Sequence, residues 1–249
     1  MKHDSLMSFL NKSLLKSSGQ RSSVRLRIGL TQRLETNLEY SERRDSLDLR
    51  WYELLECTGA ILIPVPNGLI DLDKWLYSQK INAVIFTGGG DLNVEFIKSN
   101  SYHSPRNRTD SETAREITEL KLYYYCLRSN FPMMGICRGA QFLNAVAGGT
   151  LSRVYGHTST SHSISCSNSA EFSEYTELFP NMVNSFHNYG IKVVDLANTS
   201  IPLAIAGDTI EAFISPLHRS FGIMWHPERD DDTRNANANS ELFMSHFCH

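Results

Sequence analysis

Cys137 has the surroundings of a nucleophile. It stands in Gly135-Ile136-Cys137-Arg138-Gly139-Ala140-Gln141, after the apolar run Pro132 to Ile136 and before a stretch carrying Phe142, Leu143, Val146 and Ala147. A thiol attacks as its thiolate, so its setting must expose it and favour the charge. A sharp strand-to-helix turn does both, because it projects the side chain above the sheet edge and brings a helix N-terminus, with its partial positive charge, close to the sulfur. Such a turn is crowded, and Gly135 and Gly139 supply small residues on either side of Cys137, as in the G-x-S-x-G elbow of serine hydrolases.

The partner chemistry lies in Trp225-His226-Pro227-Glu228. Side chains two apart at a strand end point the same way. Glu228 can then accept a hydrogen bond from one imidazole nitrogen of His226 while the other faces the sulfur, which fixes the tautomer and stabilises the imidazolium. Of nine histidines, only His226 has a carboxylate two residues on after an apolar strand. Nucleophile, base and orienting carboxylate point to acyl transfer to water through a thioester. The tetrahedral intermediate needs donors for its oxyanion. The Arg138 backbone N–H is one candidate, and Gly89 or Gly90 of the Gly88-Gly89-Gly90 run is the other, since glycine lets backbone amides approach a substrate closely.

Strands and helices must alternate to place these groups. Val24 to Leu30, Ala60 to Val65, Ala83 to Phe86 and Pro132 to Ile136 read as strands. Leu47 to Thr58, Asp71 to Ser78, Ser111 to Arg128 and the segment after Cys137 read as helices, the last stopped by Gly148-Gly149. From Thr150 the pattern shifts to short strands (Ile191 to Val194, Pro202 to Ala206, Ile210 to Ile214, Phe221 to Trp225) and a closing helix over Ser240 to Phe247. The βαβ alternation implies a parallel sheet. The expected fold is an α/β, three-layer sandwich with a mostly parallel central sheet and a small antiparallel region in the C-terminal half. Residues 1–23, rich in Ser and Lys, are expected to form a flexible tail, with residues 24–249 as the folded domain.

Composition narrows the function. At 249 residues and 41% hydrophobic, the chain can bury a full core. A net charge of −3 gives no basic excess for nucleic acid. No apolar run approaches the ~20 residues of a membrane span. The five cysteines are odd in number and lack a CxxC pair, so neither a disulfide framework nor a cysteine-based zinc site is suggested. Free thiols fit a reducing cytoplasm. No metal or cofactor is expected. The partner is a small molecule, with a homodimer left open.

Gly135 to Gln141, Gly148-Gly149-Thr150-Leu151 and Trp225 to Glu228 closely resemble the class I glutamine amidotransferases, and more narrowly their γ-glutamyl hydrolase branch, the peptidase C26 type. Asn184-Ser185-Phe186-His187 resembles that branch's substrate-binding segment. The resemblance implies a flavodoxin-like fold, a Cys137-His226-Glu228 triad, and γ-glutamyl recognition by Gln141 with Ser185, Phe186 and His187. Gln141 fits physically, one helical turn from Cys137 on the same face.

The departures concern the leaving group. The γ-glutamyl-aminobutyrate hydrolases of polyamine catabolism carry a second histidine and a glutamine where this chain has Asn188 and Tyr189, and a Pro- and Tyr-containing stretch where it has Asp91 to Phe96. These differences fall where the leaving amine should sit. Thr31-Gln32-Arg33, Arg44 to Leu47, Trp51 and Ser185 to Tyr189 are instead similar to the γ-glutamyl-CDP-amidate hydrolase type, which implies release of glutamate and cytidine diphosphoramidate in capsular phosphoramidate biosynthesis. A nucleotide diphosphate wants guanidinium partners, for which Arg33 and Arg44 are candidates. A glutaminase subunit feeding ammonia to a separate synthase, and a non-catalytic binding relative, are the other two readings.

Overall fold

The computed structural model describes residues 25–90, 92, 111–230 and 233–248. The expected tail, residues 1–23, and all of the Asp91–Phe96 stretch except Leu92 lie outside the described residues.

The chain begins with β1 (Arg27–Thr31), a hairpin of β2 (Arg33–Asn37) and β3 (Glu42–Ser46), α1 (Arg50–Leu55), β4 (Ile61–Val65), α2 (Leu72–Gln79), β5 (Ala83–Phe86), α3 (Ser111–Ser129), β6 (Met133–Ile136) and α4 (Arg138–Val146). The C-terminal half adds β7 (Ser152–Arg153), β8 (Thr158–Ser163), β9 (Ser165–Cys166), α5 (Ser173–Thr176), β10 (Met182–Phe186), β11 (Tyr189–Lys192), β12 (Ile201–Ala206), β13 (Thr209–Ser215), β14 (Ser220–Ile223) and α6 (Thr233–Cys248).

β4, β1, β5, β6 and β14 lie side by side in that order and pair in parallel. Numbered as parallel strands along the chain, the order is 2-1-3-4-5, that of flavodoxin. β13 continues the sheet antiparallel to β14, and β12, β11, β9 and β7 extend it. β8 pairs with β10 as a separate antiparallel ribbon. The expected fold class is thus the observed one.

Period-two alternation covers both faces of the central strands. Ala83 and Ile85 of β5 enter one apolar cluster with Trp51, Leu55, Tyr175 and Phe243, contributed by α1, α5 and α6. Val84 and Phe86 enter the other with Leu76, Leu120 and Phe142, from α2, α3 and α4. These are the three layers. Among the described residues no helix is long and apolar enough to cross a membrane.

Several elements depart from the pattern-based reading: β7, β8, β9, β10 and α5 were not anticipated, and the strand expected to reach Val194 ends at Lys192. The β2–β3 hairpin was not anticipated, because β3 (Glu42–Ser46) has no apolar alternation and is largely exposed. Its order comes from backbone pairing, which sets Glu35 opposite Arg44, and from Asn37 Oδ1, which accepts from the Glu39 and Tyr40 N–H groups at 3.0 and 3.3 Å. The closing helix begins at Thr233 rather than Ser240, over an Asn- and Ala-rich turn with no apolar stripe to mark it.

Candidate active site

The carboxyl ends of parallel strands are where open α/β sheets bind ligands. Cys137 follows β6, His226 lies just beyond β14, and Thr87 to Gly90 follow β5, so one edge gathers all three segments.

Cys137 has φ +51° and ψ −105°, a conformation that costs a non-glycine residue about 1–3 kcal/mol unless its surroundings enforce it. Here they do. Its N–H donates to the Ile223 carbonyl at 2.8 Å, and its carbonyl accepts from the Gln141 N–H at 3.0 Å. A β-carbon on residue 139 would collide with the Phe86 carbonyl oxygen, and one on residue 135 would lie 2.5 Å from the Gly139 carbonyl carbon. Only glycine at both positions lets α4 pack this tightly over β5 and β6.

His226 is buried and bonded to Glu228, Nδ1 to Oε1 at 2.7 Å. Asn184 clamps the His226 backbone: its Nδ2 donates to the His226 carbonyl at 2.9 Å, and its Oδ1 accepts from the His226 N–H at 2.8 Å. The Cys137 thiol lies close enough to the imidazole to act on its charge. Burial disfavours the imidazolium, but Cys137 and Glu228 together outweigh it and push His226 up to about 9. The ring also lies against the β5 loop, since a β-carbon on Gly88 would come within 2.6 Å of Cε1.

The loop itself is held by a residue the sequence reading missed. Arg115, buried in α3, donates to the carbonyls of Thr87 at 2.7 Å and Gly89 at 2.6 Å, with a weaker contact to Gly88 at 3.4 Å. In a trans peptide the C=O and the next N–H point in opposite directions. Anchoring these carbonyls on Arg115 therefore turns the N–H groups of Gly88, Gly89 and Gly90 the other way. Gly89 and Gly90 hold φ of +89° and +79°, which their lack of a β-carbon permits.

Arg115 also pairs with Glu119 at 2.8 Å, and Glu119 pairs with Arg138 at 2.6 Å, all three buried. Burial and the nearby Arg138 push Arg115 down to about 10, so it remains charged at neutral pH. One network thus links the glycine loop to the first residue of α4. The Arg138 N–H, at the helix start, has no intrahelical acceptor. The i,i+4 spacing of Arg115 and Glu119 hinted at an ion pair. Nothing in the sequence showed that it would reach the loop after β5.

The other sequence candidates fall in different places. Gln141 is buried and its Nε2 donates to the Tyr189 carbonyl at 2.8 Å. The Ser185 hydroxyl is buried and donates to the His157 carbonyl at 2.7 Å. Phe186 packs edge-on to His226 with ring centroids 5.7 Å apart and carries the Arg229 guanidinium 5.0 Å above its ring. His187 turns inward, its Nδ1 3.0 Å from the Tyr189 carbonyl. Arg33 lies directly over Gly89, whereas Arg44 is exposed on the hairpin and bonded to Glu42. Of the remaining cysteines, Cys57, Cys166 and Cys248 are exposed, and Cys126 is buried with its thiol pushed up by that burial.

A strained cysteine against a buried imidazole and carboxylate, at the carboxyl edge of a flavodoxin-like sheet, defines a class: α/β proteins with a cysteine–histidine–glutamate constellation at a strand-to-helix elbow. Comparison with known proteins supplies the family. The profile of the Peptidase C26 family matches residues 28–228, and the chain belongs to that family. It is 33% identical over 221 residues to the γ-glutamyl-CDP-amidate hydrolase of Campylobacter jejuni, an alignment covering 87% of this chain and 96% of that one. It is 28% identical over 190 residues to the protein NtpR of Enterococcus hirae, covering 69% and 75%. Among solved structures, a glutamine amidotransferase from Thermotoga maritima superposes with a TM-score of 0.60 at 13% identity, covering 90% of this chain and 98% of that one, a likeness of fold.

Proposed function

We propose that this protein hydrolyses a γ-glutamyl amide through a thioester on Cys137. The observation that carries the reading is the buried His226, engaged on one side by Glu228 and on the other by Cys137.

In the proposed reaction His226 takes the Cys137 proton, and the thiolate adds to the γ-carbonyl carbon. The carbonyl electron pair moves onto oxygen, where the Arg138 N–H and that of Gly89 or Gly90 stabilise it. The intermediate collapses and the C–N bond breaks. His226 returns the proton to the departing nitrogen. Water, deprotonated by the same imidazole, then adds to the thioester, and the C–S bond breaks to release glutamate and restore the thiol. Gln141, Ser185 and Phe186 are assigned to the glutamyl group, and His187, turned inward with its Nδ1 on the Tyr189 carbonyl, is not.

The leaving group we favour is a cytidine diphosphoramidate. Full-length similarity to the C. jejuni hydrolase supports this, as does the Arg33 guanidinium over the glycine loop, which suits a diphosphate. Arg44, further along the hairpin, is a second candidate contact.

Side-by-side assay of glutamine, γ-glutamyl-aminobutyrate and γ-glutamyl-CDP-amidate tests the choice. The third should give the highest kcat/KM, and Arg33→Ala should lower kcat/KM for it alone. Turnover of glutamine only, rising when a synthase is added, would overturn the reading in favour of a glutaminase subunit. Binding without turnover of any of them would make the protein a non-catalytic relative.

A further inference from the structure

A second histidine–carboxylate cluster lies on the antiparallel side of the molecule. Glu211, on β13, is fully buried, and neither carboxylate oxygen has a hydrogen-bond partner. Three imidazoles converge on its Oε1: His157 Nδ1 at 3.3 Å, His162 Nε2 at 3.2 Å and His187 Nε2 at 4.0 Å. None of these three contacts meets hydrogen-bond geometry, and all three ring nitrogens are buried without a partner. The rings crowd one another, with centroids 4.6 Å apart for His157–His162 and 5.0 Å for His157–His187.

The tautomer of His187 sharpens the problem. A carbonyl can only accept, so the Nδ1 that contacts the Tyr189 carbonyl at 3.0 Å carries the hydrogen. In neutral His187 the lone pair therefore sits on Nε2, which faces a carboxylate that can also only accept. Acceptors facing acceptors out of water are costly unless a cation lies between them. A histidine that ligates a metal characteristically gives its other N–H to a carbonyl or carboxylate, as His187 does.

The spacing fits such an ion. Zinc bonds of about 2.0–2.1 Å in a tetrahedron put ligand atoms about 3.3–3.4 Å apart. Two of the three nitrogen–oxygen separations already have that value, and the ligand atoms of His157, His187 and Glu211 all lie within 4.8 Å of one another. Two imidazoles with one carboxylate form a borderline donor set that suits zinc, and His162, whose Nε2 lies 3.2 Å from the same carboxylate oxygen, is the nearest candidate for the fourth position.

We infer that His157, His187 and Glu211, with His162 beside them 3.2 Å from the carboxylate, form a zinc site that staples the β8–β10 ribbon to the main sheet. His157 precedes β8, His162 is the next-to-last residue of β8, His187 lies in the turn after β10, and Glu211 is on β13. The stapled segment also supplies the Asn184 clamp on His226, the Phe186 ring, and the Tyr189 carbonyl that holds Gln141. The site was invisible to a search by cysteine spacing, because its ligands are spread over 54 positions and contain no thiol.

The test needs no turnover, so it is independent of the hydrolase reading. The full chain, without a histidine tag, is made in a Cys137→Ala background so that the thiol beside His226 cannot bind the ion. After incubation with zinc chloride and gel filtration, metal analysis should find about one zinc per chain. Cobalt(II) chloride should give the visible absorption bands of a tetrahedral site. Glu211→Gln, which keeps the side-chain shape, and His157→Gln should each weaken zinc binding by roughly 100-fold or more, since even changes to groups behind the ligands cost 10–100-fold. Zinc should raise the melting temperature of the Cys137→Ala protein and leave that of the Glu211→Gln variant unchanged. Failure to retain zinc, equal retention by both ligand variants, or retention by the parent that is lost on Cys137→Ala would each overturn the site.

Discussion

Two histidine–carboxylate groupings occur in this fold and are built differently. In the first, His226 and Glu228 meet at 2.7 Å, the backbone behind the histidine is clamped by Asn184, and the free side of the ring faces a thiol. In the second, Glu211 is surrounded by three imidazoles with no hydrogen bond made. The first completes its own charge pairing and has a side left for chemistry. The second lacks such a pairing, which the inferred zinc would supply. Burial alone does not separate them, because both carboxylates are buried. What separates them is that Glu228 bonds to its histidine through Oε1, although its Oε2 has no partner, whereas neither oxygen of Glu211 has one.

The largest expected effect that would break this contrast is on the nucleophile. Cys137→Ala should lower kcat by roughly 10⁴-fold or more, since removing the nucleophile disables a unit that acts as a whole. Near-native turnover would remove Cys137 from the role. Glu228→Gln should lower kcat by about 10²–10⁴-fold, the range of a positioned acid–base contribution.

The same pair sets the pH behaviour. His226 lies near 9 in the folded protein against 6.5 for the free group, so its contribution to stability is complete below about pH 6.5 and fades as pH rises through about 9. The alkaline limb of the kcat/KM profile should fall near pH 9 and move to lower pH in Glu228→Gln. An unmoved limb would show that Glu228 does not support the imidazolium.

Arg115→Lys keeps the buried charge but loses the fork that holds the loop carbonyls. It should lower kcat by about 10–100-fold with KM little changed, below the 10²–10³-fold cost of losing an oxyanion donor outright. A change in KM alone would assign Arg115 to substrate binding instead. The smallest effect concerns strain. Cys137→Gly should be more stable than Cys137→Ala by about 1 kcal/mol in urea unfolding, because glycine tolerates φ +51°. Equal stability would mean that the elbow stores little strain.

The parallel half of the fold could be read from the sequence because its order is local. Ala83 to Phe86 and Pro132 to Ile136 are apolar throughout, and Gly135 and Gly139 bracket the cysteine within a few residues. His226 and Glu228 were readable for the same reason, being two positions apart. The β2–β3 hairpin escaped because backbone pairing and a turn, not apolar alternation, hold it together. Arg115 and Asn184 escaped because their partners, Thr87 to Gly89 and His226, are 26 to 42 positions away in sequence. Glu211 escaped because no periodicity marks a carboxylate placed on a fully buried strand.

The most direct test of the nucleophile is to trap the thioester. The protein is mixed with a γ-glutamyl substrate, quenched rapidly in acid and digested, and the peptides are weighed by mass spectrometry. The expected result is one glutamyl group on the peptide carrying Cys137, absent after Cys137→Ala. A glutamyl group on another residue, or full turnover by the Cys137→Ala protein, would contradict it.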